Sequence, residues 1–457
     1  MTTPNGWVRT AVSHRIVSAC AAAAGAFLLP CVTGAQAADT ELVSVTAFTR
    51  VAAGGSALEG TSSLSANGRY VVFRSWRSTL VAKDTNGSSD IFVRDRATKM
   101  TERVSVSSGG LQMNAGSRAP VISADGRFVA FQSRAAGFVP GDVNEAEDIF
   151  RHDRWTGRTI LISRASNGAR GNAGSFSPAI SANGRFVAFM SNATNLAPGA
   201  SGWYRSVYVR DVWHGTTRLV SVNSQGEEGQ GDAYSLAISA DGRFVAFSSG
   251  AGNLAANDLN VSFDVFVRDL QARVTELISV TLDGFSGQSF SLDPSISADG
   301  RYVAFTSWVR NLVPNDENGY HDAFVRDRQT RTTERISLAA NGAELAVGGA
   351  GPTISADGRY VSFVSIDPDV VSGDTNGVSD AFVCDRLLRT VTRVSVGTDG
   401  VEGFSPEGVS ASISADGKSV AFDSYSRGLL PNDTNSSQDV FVRALAAPTG
   451  GETAASH

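Results

Sequence analysis

Six segments of the chain share the pattern Asp-x-Asn-x-x-x-Asp, which places three oxygen-bearing side chains close together. They are Asp84/Asn86/Asp90, Asp142/Asn144/Asp148, Asp258/Asn260/Asp264, Asp316/Asn318/Asp322, Asp374/Asn376/Asp380 and Asp433/Asn435/Asp439. Carboxylate and amide oxygens at this spacing on a turning backbone are ligands that Ca²⁺ prefers. The same residues also fit a turn in which Asp and Asn accept hydrogen bonds from nearby backbone amides. The pattern predicts a calcium site or a turn network, and the residues leave both open.

A seventh segment of equal length has lost all three residues of the pattern. Ala200, Gly202 and Ser206 stand at the corresponding positions. Joint loss is expected if the three side chains share one ligand, and also if they share one hydrogen-bond network.

Aromatic residues accompany these segments. Trp76 and Trp308 each precede a segment by eight residues, Trp203 and Tyr204 lie within the segment that lost the pattern, and Tyr320 lies within the segment that follows Trp308. Exposed aromatic rings can stack on sugars or anchor a protein partner, whereas partly buried rings only contribute to packing. We treat these five residues as candidate ligand contacts.

A repeat positions all of these residues. The phrase Ser-Ala-Asp/Asn-Gly-Arg/Lys begins at Ser65, Ser123, Ser181, Ser239, Ser297, Ser355 and Ser414, with a spacing of 58 residues five times and then 59. In the second unit the pattern predicts four strands: Pro120–Ser123, Arg127–Ser133, Asp148–Asp153 and Thr159–Ser163. We name them A to D, with a tight turn at Asp125-Gly126 between A and B.

The apolar run in strand B predicts how the units pack. Phe128 to Phe131 is apolar on both alternations, as expected for a sheet covered on both faces by neighbouring sheets. Repeated four-stranded antiparallel sheets of this kind form a β-propeller. A copy of strand D at residues 40–46 precedes the first unit, and the last unit lacks one. We therefore predict an all-β, seven-bladed β-propeller in which the N-terminal strand completes the last blade.

The repeated residues resemble the WD-like propeller repeats of the TolB family. The resemblance is carried by Ser239–Phe247 and Val265–Asp269, with equivalents in every unit, and it spans roughly residues 40–443. It implies a propeller of an exported envelope protein. TolB itself has an α/β domain before a six-bladed propeller, whereas this sequence shows seven units and no such domain.

The N-terminus reads as a secretory signal peptide over residues 1–37. Arg9 and Arg15 precede an apolar stretch from Ile16 to Leu29, and Ala35-Gln36-Ala37 fits a cleavage site. We expect export through the Sec route to the periplasm or the extracellular space. The propeller is then expected over residues 38–445, followed by a flexible tail over 446–457.

Composition restricts the partners of the mature chain. Loss of the two leader arginines leaves 37 basic residues (39 minus 2) against 45 acidic ones, a formal charge of −8. This charge argues against a nucleic-acid partner. Only Cys384 remains outside the leader, so no internal disulfide is expected. We expect a monomer without a membrane span.

The loop lengths suggest where function lies. The A-to-B and C-to-D turns are short, whereas the D-to-A and B-to-C connections are long and emerge on the opposite side of a propeller, here called the long-loop face. The sequence favours an exported binding or scaffold protein, stabilised by calcium, that holds a protein or a glycan on this face.

Catalysis is not expected from the sequence. The chain has no Gly-x-Ser-x-Gly motif, and His152, His214 and His321 fall in a strand, a turn and a loop that should not converge. An enzyme of the lactonase or lyase type and a TolB-like envelope assembly factor remain as alternatives.

Overall fold

The computed structural model describes residues 39–45, 55–59, 62–141, 146–405, 409–431, 433 and 435–445. The predicted leader (1–37), the predicted tail (446–457), and Asp142 and Asn144 lie outside these residues. All regular elements of the described chain are β-strands, so it contains no helix that could cross a membrane.

Seven four-stranded antiparallel sheets form a seven-bladed β-propeller, as predicted. The first strand, β1 (Thr40–Leu42), belongs to the last blade. Blades 1 to 3 contain β2 (Ser56–Ala57), β3 (Tyr70–Ser75), β4 (Asp90–Asp95) and β5 (Met100–Arg103); β6 (Ser117–Ile122), β7 (Phe128–Ser133), β8 (Asp148–Asp153) and β9 (Arg158–Leu161); and β10 (Ser175–Ile180), β11 (Phe186–Ser191), β12 (Ser206–Asp211) and β13 (Thr216–Leu219).

The remaining blades repeat this order of strands A, B, C and D. Blades 4 to 7 contain β14 (Ala233–Ile238), β15 (Phe244–Ser249), β16 (Asp264–Asp269) and β17 (Val274–Leu277); β18 (Ser291–Ile296), β19 (Tyr302–Ser307), β20 (Asp322–Asp327) and β21 (Thr332–Arg335); β22 (Ala350–Ile354), β23 (Tyr360–Ser365), β24 (Asp380–Asp385) and β25 (Thr390–Arg393); and β26 (Ala411–Ile413), β27 (Ser419–Ser424) and β28 (Asp439–Ala444).

Strands B and C form the apolar interior of each blade. Every residue of β7 and β8 is buried, because both faces of the sheet are covered by neighbouring blades. Phe131 and Phe150 of blade 2, for example, pack in one cluster with Val93 of blade 1. Apolar runs without alternation are therefore required here, as the sequence indicated.

The repeated Ser-Ala-Asp/Asn-Gly-Arg phrase builds the A-to-B turn. In blade 2, Ser123 Oγ donates to Asp125 Oδ1 at 2.6 Å and accepts the N–H of Phe128, while Asp125 Oδ1 also accepts the N–H of Arg127. Gly126 adopts a φ of 75°, and a Cβ at this position would lie 2.1 Å from the Tyr70 ring of blade 1. The glycine is thus required by both backbone conformation and close packing.

The alanine of the same phrase joins each blade to the next. The N–H of Ala66 donates to the carbonyl of Ala124, and the bond recurs from blade to blade until Asp416 donates to Ala66. These seven bonds, 2.8 to 3.1 Å long, form a closed ring at the tight-turn end of the central channel.

The arginine of the phrase forms an ion pair at the C-terminal end of strand C, beside the C-to-D turn. Arg127 forms a two-pronged ion pair with Asp153, whose Oδ1 also accepts the N–H of Trp155 in the C-to-D turn. The bonds from Arg127 hold the pKa of Asp153 well below its usual range. Equivalent pairs recur in blades 1 and 3 to 6.

The N-terminal strand closes the ring, as predicted. Strand β1 pairs antiparallel with β28, with Thr40 opposite Arg443 and Leu42 opposite Phe441. Val43, which follows β1, is fully buried against Val440 and Val442. The last blade therefore joins the two ends of the chain without a covalent link.

We expect Val43→Ala to weaken this closure. Removal of two buried methyl groups should lower the free energy of unfolding by roughly 2 kcal/mol, because the closing strand loses packing against blade 7. Val401→Ala removes the same groups from a half-exposed loop position and should change stability by less than about 0.5 kcal/mol. Equal urea midpoints for the two variants would contradict the assignment of Val43 to the closing strand.

Candidate functional site on the long-loop face

The B-to-C loops carry the predicted Asp-x-Asn-x-x-x-Asp residues, and the described ones share a hydrogen-bond network. In blade 4, Asn260 Oδ1 accepts the N–H of Ser262 at 2.5 Å, and Asn260 Nδ2 donates to Asp264 Oδ2 at 3.0 Å and to the carbonyl of Gly287. The turn network that the sequence allowed is therefore present.

The asparagines of the other described loops bond to the second aspartate and to the following turn in the same way. The four residues are Asn86, Asn318, Asn376 and Asn435. Each directs its amide nitrogen Nδ2 at the second aspartate, at 2.8 to 3.2 Å, and each Oδ1 accepts the backbone N–H two positions further on. An amide nitrogen is a donor and cannot ligate a cation. In this arrangement the asparagines orient the second aspartate, and their role as metal ligands stays a prediction.

The second aspartate of the pattern anchors strand D. Asp264 Oδ1 accepts the hydroxyl of Ser279 at 2.6 Å, and Asp148 and Asp322 accept the hydroxyls of Ser163 and Ser337 in the same way. Both oxygens of Asp264 and Asp322 thus have partners. The first aspartate differs, since one oxygen of each of Asp258, Asp316, Asp374 and Asp433 is buried without a hydrogen-bond partner.

An arginine from strand D stands between the two aspartates in blades 1, 5 and 6. Arg103 lies 3.4 Å from Asp84 and 3.7 Å from Asp90. Arg393 lies 3.1 Å from Asp374 and 3.6 Å from Asp380. The sequence pattern did not contain these arginines, because they follow the loop by a whole strand.

Blade 5 holds the one acidic triad with metal-like spacing among the described residues. One carboxylate oxygen each of Asp316, Asp322 and Glu344 lies within 4.8 Å of the others. Arg335 Nη1 reaches all three, at 3.5, 3.5 and 2.5 Å. Burial and the nearby Asp322 raise the pKa of Asp316 to about 6. The oxygen ligands for a metal are present, and a guanidinium group lies among them.

Blades 7 and 3 show two other arrangements. In blade 7, Arg77 arrives from blade 1 and pairs with Asp439 at 2.7 Å, with both side chains fully buried. In blade 3, which lacks the pattern, Glu228 accepts the Ser206 hydroxyl and the N–H of Ser201 and so supplies the missing acceptor.

Blade 4 has no arginine at the corresponding position. Leu277 pairs with Phe266 in the register in which Arg335 pairs with Phe324, and Ser286 replaces Glu344. Burial, together with the charge of Asp258, raises the pKa of Asp264 to about 7. The pKa of Asp258 is also raised, again mainly by burial. Two buried carboxyl groups therefore face each other without a countercharge.

A second group of ionisable residues lies where the central channel opens to the long-loop face. Strand A contains a β-bulge there in blades 2 to 6. Ala119 in this bulge has a φ of 49° and donates its N–H to Glu59, and Asp293 has a φ of 53° and donates to Ser235. These residues line the inner end of the blades, so we refer to the region as the channel mouth.

Charged side chains of strands A and B surround the channel mouth. Arg118 pairs with the buried Glu147 at 2.7 Å, and Arg74 pairs with Glu59. Asp423 accepts the N–H groups of Leu58 and Ser410 at 2.9 and 2.7 Å, and burial raises its pKa to about 6. This group was not predicted from the sequence, because its members lie far apart in the chain, for example Glu59, Arg118 and Asp423. The proline after the bulge in four blades was the available signal.

The predicted aromatic residues all lie on the long-loop face. Trp76 and Trp308 directly follow strand B and donate their backbone N–H groups to Gly55 and Phe290. Trp203 is 86% exposed, and Tyr204 and Tyr320 are also exposed. Each predicted aromatic therefore has an accessible ring.

The chain is similar in structure to solved proteins that share little sequence with it. An oligogalacturonate lyase in complex with manganese is 11% identical over 89% of this chain and 96% of its own, with a TM-score of 0.52. The oligogalacturonate lyase of Vibrio parahaemolyticus gives the same identity and TM-score over 97% of its chain. TolB from Acinetobacter baumannii is 16% identical over 83% of this chain and 81% of its own, with a TM-score of 0.39. No protein-family model and no curated protein matches the sequence.

These comparisons show the propeller fold and correct one expectation. The prediction that the chain is not an enzyme is wrong, because full-length lyases have this fold. The inner ends of the blades also carry carboxyl and guanidinium groups, at Glu59, Arg118 and Asp423. The absence of a Gly-x-Ser-x-Gly motif argues only against catalysis of the serine-hydrolase type.

The raised pKa of Asp423 makes a prediction for pH dependence. Its folded-state pKa of about 6 lies above the unfolded value of about 3.9, so stability should fall as pH rises from about 4 to about 6, by about 2 kcal/mol. The side chain of Asp423→Asn cannot ionise, so the free energy of unfolding of this variant should fall less over the same pH range. Urea unfolding of both proteins from pH 4 to 7 in chelator measures the difference, and identical slopes would contradict the prediction.

Proposed function

We propose that the chain is an exported β-propeller that binds a glycan on its long-loop face, next to the channel mouth. The observation that carries this proposal is the combination of exposed tryptophans with fixed charged groups. Trp76 is 47% exposed, and its ring lies 3.8 Å from the guanidinium carbon of Arg74. Arg74 is in turn paired with Glu59. The ring is thus held in one orientation beside groups that can bond to hydroxyls.

Blades 4 and 5 present a second aromatic surface of the same kind. Trp308 packs against the His321 ring, with ring centres 4.8 Å apart, and is 38% exposed. Tyr234, Phe263 and Phe290 form a chain of ring contacts nearby, and Tyr234 and Phe290 are about half exposed. Flat, oriented rings bind the apolar faces of sugars, while carboxylates and guanidinium groups bind their hydroxyl groups. A protein partner is the other class of ligand that such a face can hold.

Calcium belongs to this proposal as a structural ion. The B-to-C loops supply carboxylate and backbone carbonyl oxygens, which are hard ligands of the type that Ca²⁺ binds. Buried aspartate oxygens without partners support a cation in these loops. A bound ion would stabilise the loops on the face that presents Trp203, Tyr204 and Tyr320.

A lyase activity at the channel mouth is the second candidate. Asp293 lies in the strand-A bulge of blade 5, and burial raises the pKa of its carboxyl group, as suits a general base. Oligogalacturonate is the first substrate to test, with the ultraviolet absorbance of an unsaturated product as readout. Activity that is lost in Asp293→Asn, with glycan binding retained, would support this candidate.

Glycan binding gives a direct test of the main proposal. We expect Trp76→Ala and Trp308→Ala each to weaken the binding of a glycan identified on an array by roughly tenfold, because each removes a stacking surface worth about 1.4 kcal/mol. Trp155→Ala is the control, since Trp155 is 70% exposed in a C-to-D turn on the opposite face. Absence of any bound glycan, or equal loss in all three variants, would contradict the proposal.

Export predicts a defined mature N-terminus. If the leader is cleaved after Ala37, Edman sequencing of the protein isolated from periplasm or medium should begin at Ala38. Replacement of Ala37 by a bulky residue such as Phe should block processing and leave the precursor. A mature protein that retains residues 1–37 would overturn this assignment.

A further inference from the structure

We propose that blade 4 binds one Ca²⁺ ion through Asp258 and Asp264, with Asn260 orienting Asp264, whereas the other four fully described acidic clusters are neutralised by the protein's own arginines. The inference narrows the calcium part of the proposed function to one loop. It does not depend on glycan binding, because the loop can be tested without a ligand.

The acidic clusters of blades 1, 5, 6 and 7 each have an arginine beside them. Arg103, Arg335 and Arg393 each place a guanidinium nitrogen 3.1 to 3.7 Å from both aspartates of blades 1, 5 and 6. Blade 7 uses Arg77 of the neighbouring blade instead. Two different arrangements, a strand-D arginine in blades 1, 5 and 6 and Arg77 in blade 7, thus place a positive charge beside the buried carboxylates of these loops.

Blade 4 keeps the carboxylates but lacks the arginine. Asp258 and Asp264 are 6% and 0% exposed, and Leu277 occupies the position of the arginine in strand D. The salt bridges of the described chain include none to Asp258 or Asp264. Burial of two ionised carboxylates without a countercharge is costly, so a cation from solution would stabilise the ionised form of this loop.

The orientation of the oxygens favours a cation as the missing partner. Asp258 Oδ1 accepts the N–H of Asn260, whereas Asp258 Oδ2 is buried and has no hydrogen-bond partner. Carboxylate and backbone carbonyl oxygens are both present in this loop, and water can complete the coordination shell. Ca²⁺ accepts such a mixed set in flexible geometry, whereas Mg²⁺ requires a regular octahedron.

An exchange of residues between blades 4 and 5 tests the inference. Leu277→Arg places in blade 4 the arginine that blade 5 carries, and Arg335→Leu makes the opposite change. Isothermal titration with Ca²⁺ should show one site in the wild-type protein, none in Leu277→Arg and two in Arg335→Leu, because the last variant frees the Asp316, Asp322 and Glu344 triad.

Thermal unfolding provides a second readout. With Ca²⁺ at about a hundred times its Kd, the midpoint of the wild-type protein should rise by roughly 3–6 °C over its value in chelator. Leu277→Arg should lose this rise while remaining at least as stable as the wild type in chelator. Asp258→Asn, which needs no new side chain in the interior, should also lose it.

Three outcomes would overturn the inference. They are no Ca²⁺ binding to the wild-type protein, a calcium effect that survives in both Leu277→Arg and Asp258→Asn, and an equal effect of Mg²⁺. The proposed function is tested separately, since Trp76→Ala and Trp308→Ala should keep the full calcium response. Loss of glycan binding in those variants with an unchanged calcium response would support both proposals independently.

Discussion

The ring of backbone hydrogen bonds between the A-to-B turns is the constraint on which the rest of this propeller depends. Each bond runs from the alanine of one Ser-Ala-Asp/Asn-Gly phrase to that of the next, until Asp416 returns it to Ala66. The ring fixes every blade at the same distance from the axis. At the opposite face, the inner ends of strand A are free to bulge, and the long loops are free to differ. The blades are therefore uniform in conformation at the tight-turn end, while their loops can differ in sequence and charge at the long-loop face.

Most of the fold could be predicted because its determinants are local and repeated. The hairpin of strands A and B follows from the Asp/Asn-Gly turn, and the burial of strands B and C follows from apolar runs such as Phe128 to Phe131. The pairing of β1 with β28 followed from counting strands. The bulge in strand A was not predicted, because Ala119 and Asp293 adopt a positive φ that is uncommon in residues other than glycine.

The candidate site was predictable only in part. The Asp-x-Asn-x-x-x-Asp motif located the loops, but it could not reveal what neutralises them, since Arg103 and Arg335 come from strand D and Arg77 comes from another blade. The motif also could not show which end of each asparagine amide faces the aspartates, because the backbone of the folded turn decides that. A short motif describes one segment, whereas the electrostatics of a buried site are set by every segment that packs against it. For the same reason, the group of charged residues at the channel mouth could not be predicted, because strands A and B of adjacent blades come together only in the folded protein.

The closure of blade 7 also has a consequence for the order of folding. Strand β1 leaves the ribosome first, and its partner β28 leaves it last, so the first strand made must wait for nearly the whole chain before it can pair. The intermediate blades need only close neighbours in sequence, and they can form in turn as the chain lengthens. The final step joins residues about 400 positions apart, for example Leu42 and Phe441, and such distant pairing is slow. Completion of the ring therefore marks the point at which the chain changes from an open row of blades into a closed ring, in which β28 is paired on one side with β1 and on the other with β27.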